Sequence, residues 1–194
     1  MSKGETTRQQ IINEAMRQSV SLGFEGISLG GLAGSLAMSK SGLYAHFKSK
    51  EALQLAILEE AIARFIQAVT KPAMAKPKGL ERLRAVFMNY LDWIQGDKTD
   101  LDGCIFMTLA QEYSGKPGPI RDLLVASQQQ WRTALQQLAE QAFPTKRQDA
   151  EQFTFEMIGV ALSFQQSWKL IKDPSALQRA QQAFEHLISR YQSE

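Results

Sequence analysis

Residues 28–51, SLGGLAGSLAMSKSGLYAHFKSKE, decide the fold of this chain. Ser28, Ser39 and Ser49 each precede a run in which apolar residues recur at helical spacing, and serine is a preferred helix N-cap. The stretch therefore predicts two short helices joined by a tight turn, followed at once by the start of a third helix. The second of these helices is expected over residues 40–46.

The second short helix has an inner and an outer face. Leu43 and Phe47 lie four residues apart and are expected to pack inward. The residues left facing outward are Lys40, Ser41, Gly42, Tyr44 and Ala45. Between residues 36 and 50 the chain has three lysines, one histidine and no acidic residue. A short helix with a small, polar, basic outer face, buttressed by a second helix, has the geometry that enters a DNA major groove.

The expected DNA contacts divide by role. Phosphate contacts, which position the helix without reading sequence, are assigned to Tyr44, His46, Lys48 and Lys50. The hydroxyls of Ser39 and Ser49 add contacts at helix N-termini, and Ser28 is counted with them. Base reading is assigned to Lys40, Ser41 and Gly42, with Tyr44 reaching a thymine methyl. Two alternatives remain: His46 could bond to backbone inside the domain, and the whole run could be a merely solvated basic loop.

Residues 39–53, SKSGLYAHFKSKEAL, resemble the helix-turn-helix of the TetR family of transcriptional repressors. The preceding GFEGIS at residues 23–28 resembles the family's approach to this motif. The resemblance implies a DNA-binding domain followed by a regulatory domain, and release of DNA when a small effector binds. It also implies a polar or basic residue in the first turn of the helix after Ser28. This chain has Leu29, Gly30 and Gly31 there, which argues against base reading by that helix.

Length and composition limit the class of protein and its cellular compartment. A chain of 194 residues that is 44% hydrophobic can bury a substantial core in one or two domains. The net charge of +2 is too small to indicate nucleic acid by itself. A single cysteine fits a reducing compartment, and neither a signal peptide nor a membrane span is apparent. We therefore expect a cytoplasmic protein that is not associated with a membrane.

The periodicity predicts an all-α fold with a helix-turn-helix domain over residues 1–48, and the resemblance implies that residues 49–194 form a regulatory and dimerisation domain. The first helix is expected to begin near Thr7 and to end at Gly23. Its predicted inner stripe comprises Ile11, Ile12, Ala15, Met16, Ser19 and Leu22. The fourth helix is expected from Ser49 to about Thr70, with a break marked by Pro72 and Pro77. Later helices are predicted over residues 80–95, 104–113, 120–143, 147–172 and 175–192, with a polar loop at 96–103.

The predicted helix over residues 147–172 has two apolar faces. Phe153, Met157 and Phe164 belong to one face, and Phe155, Ile158 and Leu162 to the other. A monomer needs one such face, so the pattern indicates a homodimer through the last two helices. The expected interface residues are Phe155, Ile158, Leu162, Phe184 and Ile188. The alternative is a helix buried on both sides within one chain.

Aromatic and methionine side chains are abundant in the second region, where they suit either ordinary core or a small-molecule pocket. The family resemblance favours a pocket for an apolar or aromatic effector. The expected lining is Phe87, Tyr90, Met107, Glu112, Trp131 and Phe164. Glu112 is expected to orient the effector, and the alternative is that it faces solvent.

No arrangement typical of an enzyme is present in the sequence, and we expect no catalytic residues, no metal site and no cofactor. Cys104 lies beside apolar residues and is expected in the core, with oxidant sensing as the alternative. The predicted function is a dimeric repressor that binds a palindromic double-stranded DNA operator and is released by an effector. The alternatives are an activating or effector-independent regulator, or a helical protein-interaction module without sequence-specific DNA binding.

Overall fold

The computed structural model describes residues 3–96 and 104–192, and every regular element in these ranges is helical, which confirms the all-α prediction. The α-helices are α1 (Lys3–Leu22), α2 (Leu29–Ser35), α3 (Lys40–His46), α4 (Lys50–Phe65), α5 (Lys71–Met74), α6 (Leu80–Gln95), α7 (Ile105–Tyr113), α8 (Pro119–Ala142), α9 (Ala150–Gln165) and α10 (Ala176–Gln192). Two π-helical segments, Ile66–Thr70 and Gln166–Ile171, and one 3-10 segment, Pro144–Asp149, extend or connect them. Apart from Gly96, the predicted polar loop lies outside the described residues.

The chain divides into two compact units. The N-terminal unit comprises Met1–Arg64 and Asp100–Ala126, and the C-terminal unit comprises Phe65–Thr99 and Ser127–Glu194. α7 and the beginning of α8 therefore pack with the N-terminal helices. The domain boundary at residue 48 stays a prediction.

Helix α1 supplies the core of the N-terminal unit. Ile11, Ala15 and Met16 are fully buried, as the periodicity predicts. Leu22 was expected in the same stripe but is 56% exposed. The chain turns away at Gly23, whose φ is +67°, and Phe24 occupies the buried position instead.

The predicted start of α1 near Thr7 is wrong, because the helix begins at Lys3. No proline or turn sequence separates residues 3–6 from the residues that follow, and a threonine inside a helix costs only a few tenths of a kcal/mol. The predicted glycine at the other end is confirmed by the positive φ of Gly23.

The predicted break is confirmed at Pro77, between Met74 and Leu80, but is wrong at Pro72. Helical backbone continues from α4 through the π segment Ile66–Thr70 into α5, and ends at Met74. A proline ring clashes with the carbonyl four residues before it and offers no N–H donor. The wider π turns directly before Pro72 make room for that carbonyl, so the proline changes the helix type without ending the helix.

Aromatic side chains form the core of the C-terminal unit. Phe87 of α6 stacks on Phe184 of α10, with ring centroids 3.9 Å apart. The ring of Phe65 contacts Tyr90, Trp93 and Trp131 edge to face, at centroid distances of 5.7, 5.3 and 4.8 Å. α6 ends at Gly96, which has a left-handed backbone, as the sequence predicts.

Helix α9 has one face inside this core and one face outside it. Phe153 and Phe164 are buried, whereas Phe155 is 61% exposed and Leu162 is 51% exposed. The two faces predicted from the sequence are therefore both present. The predicted start at residue 147 is three residues early (150 − 147), because Pro144–Asp149 forms a separate 3-10 segment before α9 begins at Ala150.

Two of the expected interface residues do not belong to the exposed face. Phe184 is 1% exposed and Ile188 is fully buried, and both pack inside the C-terminal unit. The apolar stripe of α10 that contains Phe184 and Ile188 packs against other helices of the same chain. The assignment of these two residues to a dimer interface is therefore wrong.

None of the helices in the described ranges is long and apolar enough to cross a membrane.

Candidate nucleic-acid interface

Three serine caps shape the predicted helix-turn-helix, and all three are confirmed. Ser28 Oγ accepts a hydrogen bond from Gly31 N, Ser39 Oγ from Gly42 N, and Ser49 Oγ from Ala52 N, each at 3.0 Å. Each hydroxyl satisfies one of the backbone N–H groups that a helix N-terminus leaves without a partner. Local sequence thus fixes where α2, α3 and α4 begin.

The turn between α2 and α3 closes tightly. Ala37 has a φ of +50°, and Met38 N donates to Ala33 O at 2.9 Å. Leu32 and Ala33 of α2 are buried, as are Leu43 of α3 and the following Phe47. These apolar contacts hold α3 against α2 and leave the opposite side of α3 free.

The outer face of α3 is small and polar. Lys40, Ser41, Tyr44 and Ala45 are exposed, with half of the Tyr44 surface accessible. Gly42 is half-buried, and a Cβ there would lie 3.1 Å from Ser39 Oγ, so glycine leaves room for the cap. His46 is also half-buried, whereas Lys48 and Ser49 are exposed.

Three glycines lie in the seven-residue helix α2, at positions 30, 31 and 34. A Cβ on Gly31 would lie 2.9 Å from Ser28 Oγ, and one on Gly30 would lie 3.3 Å from Lys40 Cε. At position 31 the Ser28 cap occupies the space, whereas at position 30 the nearest atoms belong to the long side chain of Lys40. Position 34 has no atom within 4 Å of an added Cβ.

Lys50 begins α4 and does not project freely. Its Nζ donates to the backbone oxygen of Glu25 at 3.1 Å and to a carboxylate oxygen of Glu25 at 3.4 Å. Lys116 Nζ lies 3.4 Å from the other oxygen of the same carboxylate. Hydrogen bonds from Lys116 and then Lys50 lower the pKa of Glu25. The sequence reasoning did not identify Glu25 or Lys116, because their link to Lys50 bridges separate parts of the chain.

Glu112 was expected to orient an effector, and the structure gives its carboxylate two backbone partners instead. Both oxygens of its carboxylate accept backbone hydrogen bonds, from Phe24 N and from Glu25 N, each at 2.7 Å. Each carboxylate oxygen therefore already has a partner in the turn between α1 and α2. The partners lie 88 and 87 residues earlier in the chain, so no local pattern could have revealed them.

The remaining residues of the predicted effector lining are distributed between the two units. Met107 is half-buried in the N-terminal unit, whereas Phe87, Tyr90, Trp131 and Phe164 belong to the C-terminal unit. Phe164 borders a groove of about 290 Å³ between α9 and α10. A second groove, of about 220 Å³ and lined by polar side chains of α8 and α9, includes Thr154. Cys104 is buried, and the described residues contain no group of three or more His, Cys, Asp or Glu that could hold a metal ion.

The capped α2, the tight turn and the exposed polar face of α3 define a helix-turn-helix protein. The family description "Bacterial regulatory proteins, tetR family" matches residues 11–57, and "Tetracyclin repressor-like, C-terminal domain" matches residues 79–184. The second match alone covers more than half of the chain. The chain therefore belongs to the TetR family of transcriptional regulators.

Known proteins agree with this assignment at the level of sequence and fold. The Tn10 TetC protein of Escherichia coli is 27% identical over 96 residues, which are 50% of this chain and 48% of that protein. This chain thus matches about half the length of that curated relative.

Several solved structures share the fold over nearly the whole chain. The TetR-family regulator SCO4454 of Streptomyces coelicolor superposes with a TM-score of 0.85, at 18% identity and 97% coverage of each chain. A TetR regulator of Chloroflexus aurantiacus gives a TM-score of 0.82, at 19% identity, over 100% of this chain and 98% of the other. AibR, solved with isovaleryl coenzyme A and operator DNA, gives 0.72 at 21% identity, over 94% of this chain and 96% of the other.

Proposed function

We propose that this regulator represses transcription by binding a near-palindromic operator as a homodimer, and that a small molecule releases it. The observation that carries the proposal is the exposed, acid-free face of α3 on a helix whose start is fixed by Ser39. Such a helix presents its first turns to base edges in the major groove while its neighbours contact the backbone.

The proposed DNA contacts follow the exposure of each side chain. Lys40, Ser41 and Gly42 lie in the first turn of α3 and read bases. Tyr44 reaches a thymine methyl or a phosphate from the same face. Lys48 and the N-terminus of α4, with Ser49 and Lys50, hold phosphates, as do His46 and the capped ends at Ser28 and Ser39.

The proposed dimer uses the outer face of α9. Phe155 and Leu162 are more than half exposed, and Leu170 and Ile171 at the end of the same helical stretch are 75% and 64% exposed. Ile158 lies beside them and is half-buried. Large apolar side chains at this exposure favour a partner surface of the same kind, because burying them removes apolar area from water. Two copies of the α9–α10 pair would form a four-helix interface.

A two-fold symmetric dimer has a defined footprint on DNA. Its two copies of α3 would enter successive major grooves about 34–36 Å apart. This spacing is the reason for expecting a near-palindromic operator with two half-sites.

The proposed effector is a largely apolar molecule that binds in the C-terminal unit, among Phe87, Tyr90, Trp131 and Phe164. The indole N–H of Trp131 is buried without a hydrogen-bond acceptor among the described residues. A carbonyl or ether oxygen on the ligand would satisfy that donor, whose desolvation is otherwise uncompensated. AibR, which shares this fold, binds isovaleryl coenzyme A, and the acyl part of that molecule is of the apolar, carbonyl-bearing kind proposed here.

An effector-independent regulator is the second candidate. It is favoured by the close stacking of Phe87 on Phe184, which gives Phe87 the surroundings of an ordinary core residue.

An effector, if one acts, must bind more tightly to the conformation that does not bind DNA. A ligand that binds both conformations equally leaves their populations unchanged.

The decisive experiment is selection of duplexes from a random-sequence pool by the full chain, followed by gel shift. A repressor selects one short, near-palindromic sequence, whereas a protein-interaction module selects none. Adding a library of acyl and aromatic compounds to the selected protein–DNA complex then distinguishes an effector-released regulator from an effector-independent one. Release by a compound supports the effector, and no release by any compound favours the effector-independent form. A reporter placed behind the selected sequence distinguishes repression from activation.

A further inference from the structure

The turn between α1 and α2 is joined to α7 by one carboxylate. Glu112 Oε2 accepts from Phe24 N and Oε1 from Glu25 N, both at 2.7 Å. Hydrogen bonds to an ionised acceptor at this distance belong to the strong class. Because two successive N–H groups are held by one rigid side-chain group, the turn cannot rotate without breaking at least one bond.

The geometry points to Glu112 as a positioning residue for DNA binding, which sets the direction in which the chain enters α2. This inference rests on the proposed function and assigns a role in DNA binding to a residue outside the helix-turn-helix. Only two residues, Gly26 and Ile27, separate the clamped Glu25 from the cap Ser28.

The turn is built to accept this carboxylate. Gly23 has a φ of +67°, and a Cβ at this position would lie 2.4 Å from Glu112 Oε2. A side chain there would both strain the backbone and displace the carboxylate. The glycine that ends α1 therefore also opens the site into which Glu112 reaches.

The same turn is held from α4 as well. Gln54, buried in α4, donates from Nε2 to Phe24 O at 3.1 Å. The backbone of Phe24 thus bonds to α7 through its N–H and to α4 through its carbonyl. The fully buried ring of Phe24 also meets Tyr113 edge to face, with centroids 6.1 Å apart.

The clamp lies beside the proposed phosphate contact. Glu25, whose N–H bonds to Glu112, holds Lys50 through its own backbone oxygen and carboxylate. Burial, with the negative charges of Glu112, Glu25 and Glu51, raises the pKa of Tyr113 to about 12, so this ring stays neutral and buried next to the clamp. Loss of the Glu112 contacts would therefore disturb both the entry into α2 and the position of Lys50.

The test is Glu112→Gln, which preserves shape but replaces one acceptor oxygen with a donor amide. Removing a negative charge alone would leave DNA binding unchanged or strengthen it, since DNA is a polyanion. A positioning role predicts the opposite sign, a loss of about tenfold or more for the selected duplex. The matched control is Glu59→Gln, the same charge change at an exposed position of α4, which should not weaken binding.

Hydrogen exchange provides a readout that does not depend on DNA. The amides of Phe24 and Glu25 should exchange faster in folded Glu112→Gln than in wild type, while amides in the middle of α1 keep their protection. If wild type selects no duplex at all, the proposed function fails, and amide exchange still decides whether the clamp exists.

A double-mutant cycle gives a second, independent test of the clamp. Gly23→Ala should impair DNA binding strongly in the wild-type background and less in a Glu112→Ala background, where the added Cβ no longer meets a carboxylate. Wild-type affinity for the selected duplex in folded Glu112→Gln, or strict additivity in the cycle, would overturn the inference.

Discussion

The ammonium group of Lys50 is held against Glu25, 3.1 Å from its backbone oxygen and 3.4 Å from its carboxylate. The carboxylate is shared with Lys116, which lies between α7 and α8, so one acidic side chain pairs with two lysines. A phosphate that engages Lys50 must compete with Glu25. Glu25 thus holds the Lys50 side chain in one position before DNA is bound.

We predict that Lys50→Ala weakens binding to all DNA sequences alike. A phosphate contact adds about one released counterion, so the slope of log affinity against log salt should fall by about one per protomer. Lys40→Ala is the matched comparison, because a base-reading lysine should change the preferred sequence. Gel shifts at several salt concentrations measure both. An unchanged salt slope for Lys50→Ala would remove this residue from the interface.

Glu25 gives a pH-dependent prediction. Its pKa is lowered in the folded protein by hydrogen bonds from Lys116 and Lys50. The resulting stabilisation is present above the ordinary glutamate pKa of about 4.3 and is lost as pH falls through the lowered folded value. Glu25→Gln should therefore be slightly less stable than wild type at neutral pH, by a salt-sensitive margin that shrinks in acid. Denaturant unfolding at several pH values checks this, and a margin that grows on acidification would contradict it.

Ser39 allows capping and DNA contact to be separated. Ser39→Ala should lower the free energy of unfolding by about 1 kcal/mol, because Gly42 N loses its acceptor. Ser39→Asp restores the cap but places a negative charge where a phosphate is proposed. It should therefore keep the stability of wild type and lose most DNA affinity. Equal DNA binding by the aspartate variant would show that this end of α3 stays away from the backbone.

The dimer is tested on the exposed face of α9. Phe155→Glu combined with Leu162→Glu should produce monomers whose affinity for the operator is lost, because one half-site alone binds weakly. Ile66→Glu changes an apolar residue of similar exposure, 47% against 51% for Leu162, and should remain dimeric. Sedimentation and gel shift report the two properties. A double variant that sediments as a dimer would place the interface elsewhere.

Replacing Phe87 tests whether this residue belongs to the ordinary core or to the effector lining. As a core residue stacked on Phe184, its replacement by alanine should lower the free energy of unfolding by about 3–5 kcal/mol. Phe155→Ala, at a position 61% exposed, should cost far less. A small loss at Phe87, together with altered compound binding, would instead support its place in the effector lining.

Features with a local cause were predictable from the sequence. A serine directly before a run of helical periodicity can accept a hydrogen bond from the backbone N–H three residues later. Ser28, Ser39 and Ser49 were assigned correctly as caps on this basis. The left-handed glycines at 23 and 96 follow the same logic, because each ends a helix next to its last periodic residue.

Features that depend on distant partners were not predictable. Periodicity identifies an apolar stripe on α10 but not what covers it, so Phe184 and Ile188 were assigned to a partner when their own chain buries them. Glu112 was interpreted as a ligand contact because it and Gln111 are polar residues on a largely apolar short helix. The competing donors are two backbone N–H groups, which carry no side-chain signature.

The glycines of α2 determine which positions of this helix can gain a side chain after gene duplication. Positions 30 and 31 are confined by neighbouring atoms, whereas position 34 is exposed and has open space around an added Cβ. Replacing a helical glycine with alanine favours the helix by up to about 1 kcal/mol. A duplicated copy of the gene could therefore acquire a new side chain on α2 in one step, with no loss of stability. That step would change the outer surface of the helix that precedes α3, while α3 and its caps stay unchanged.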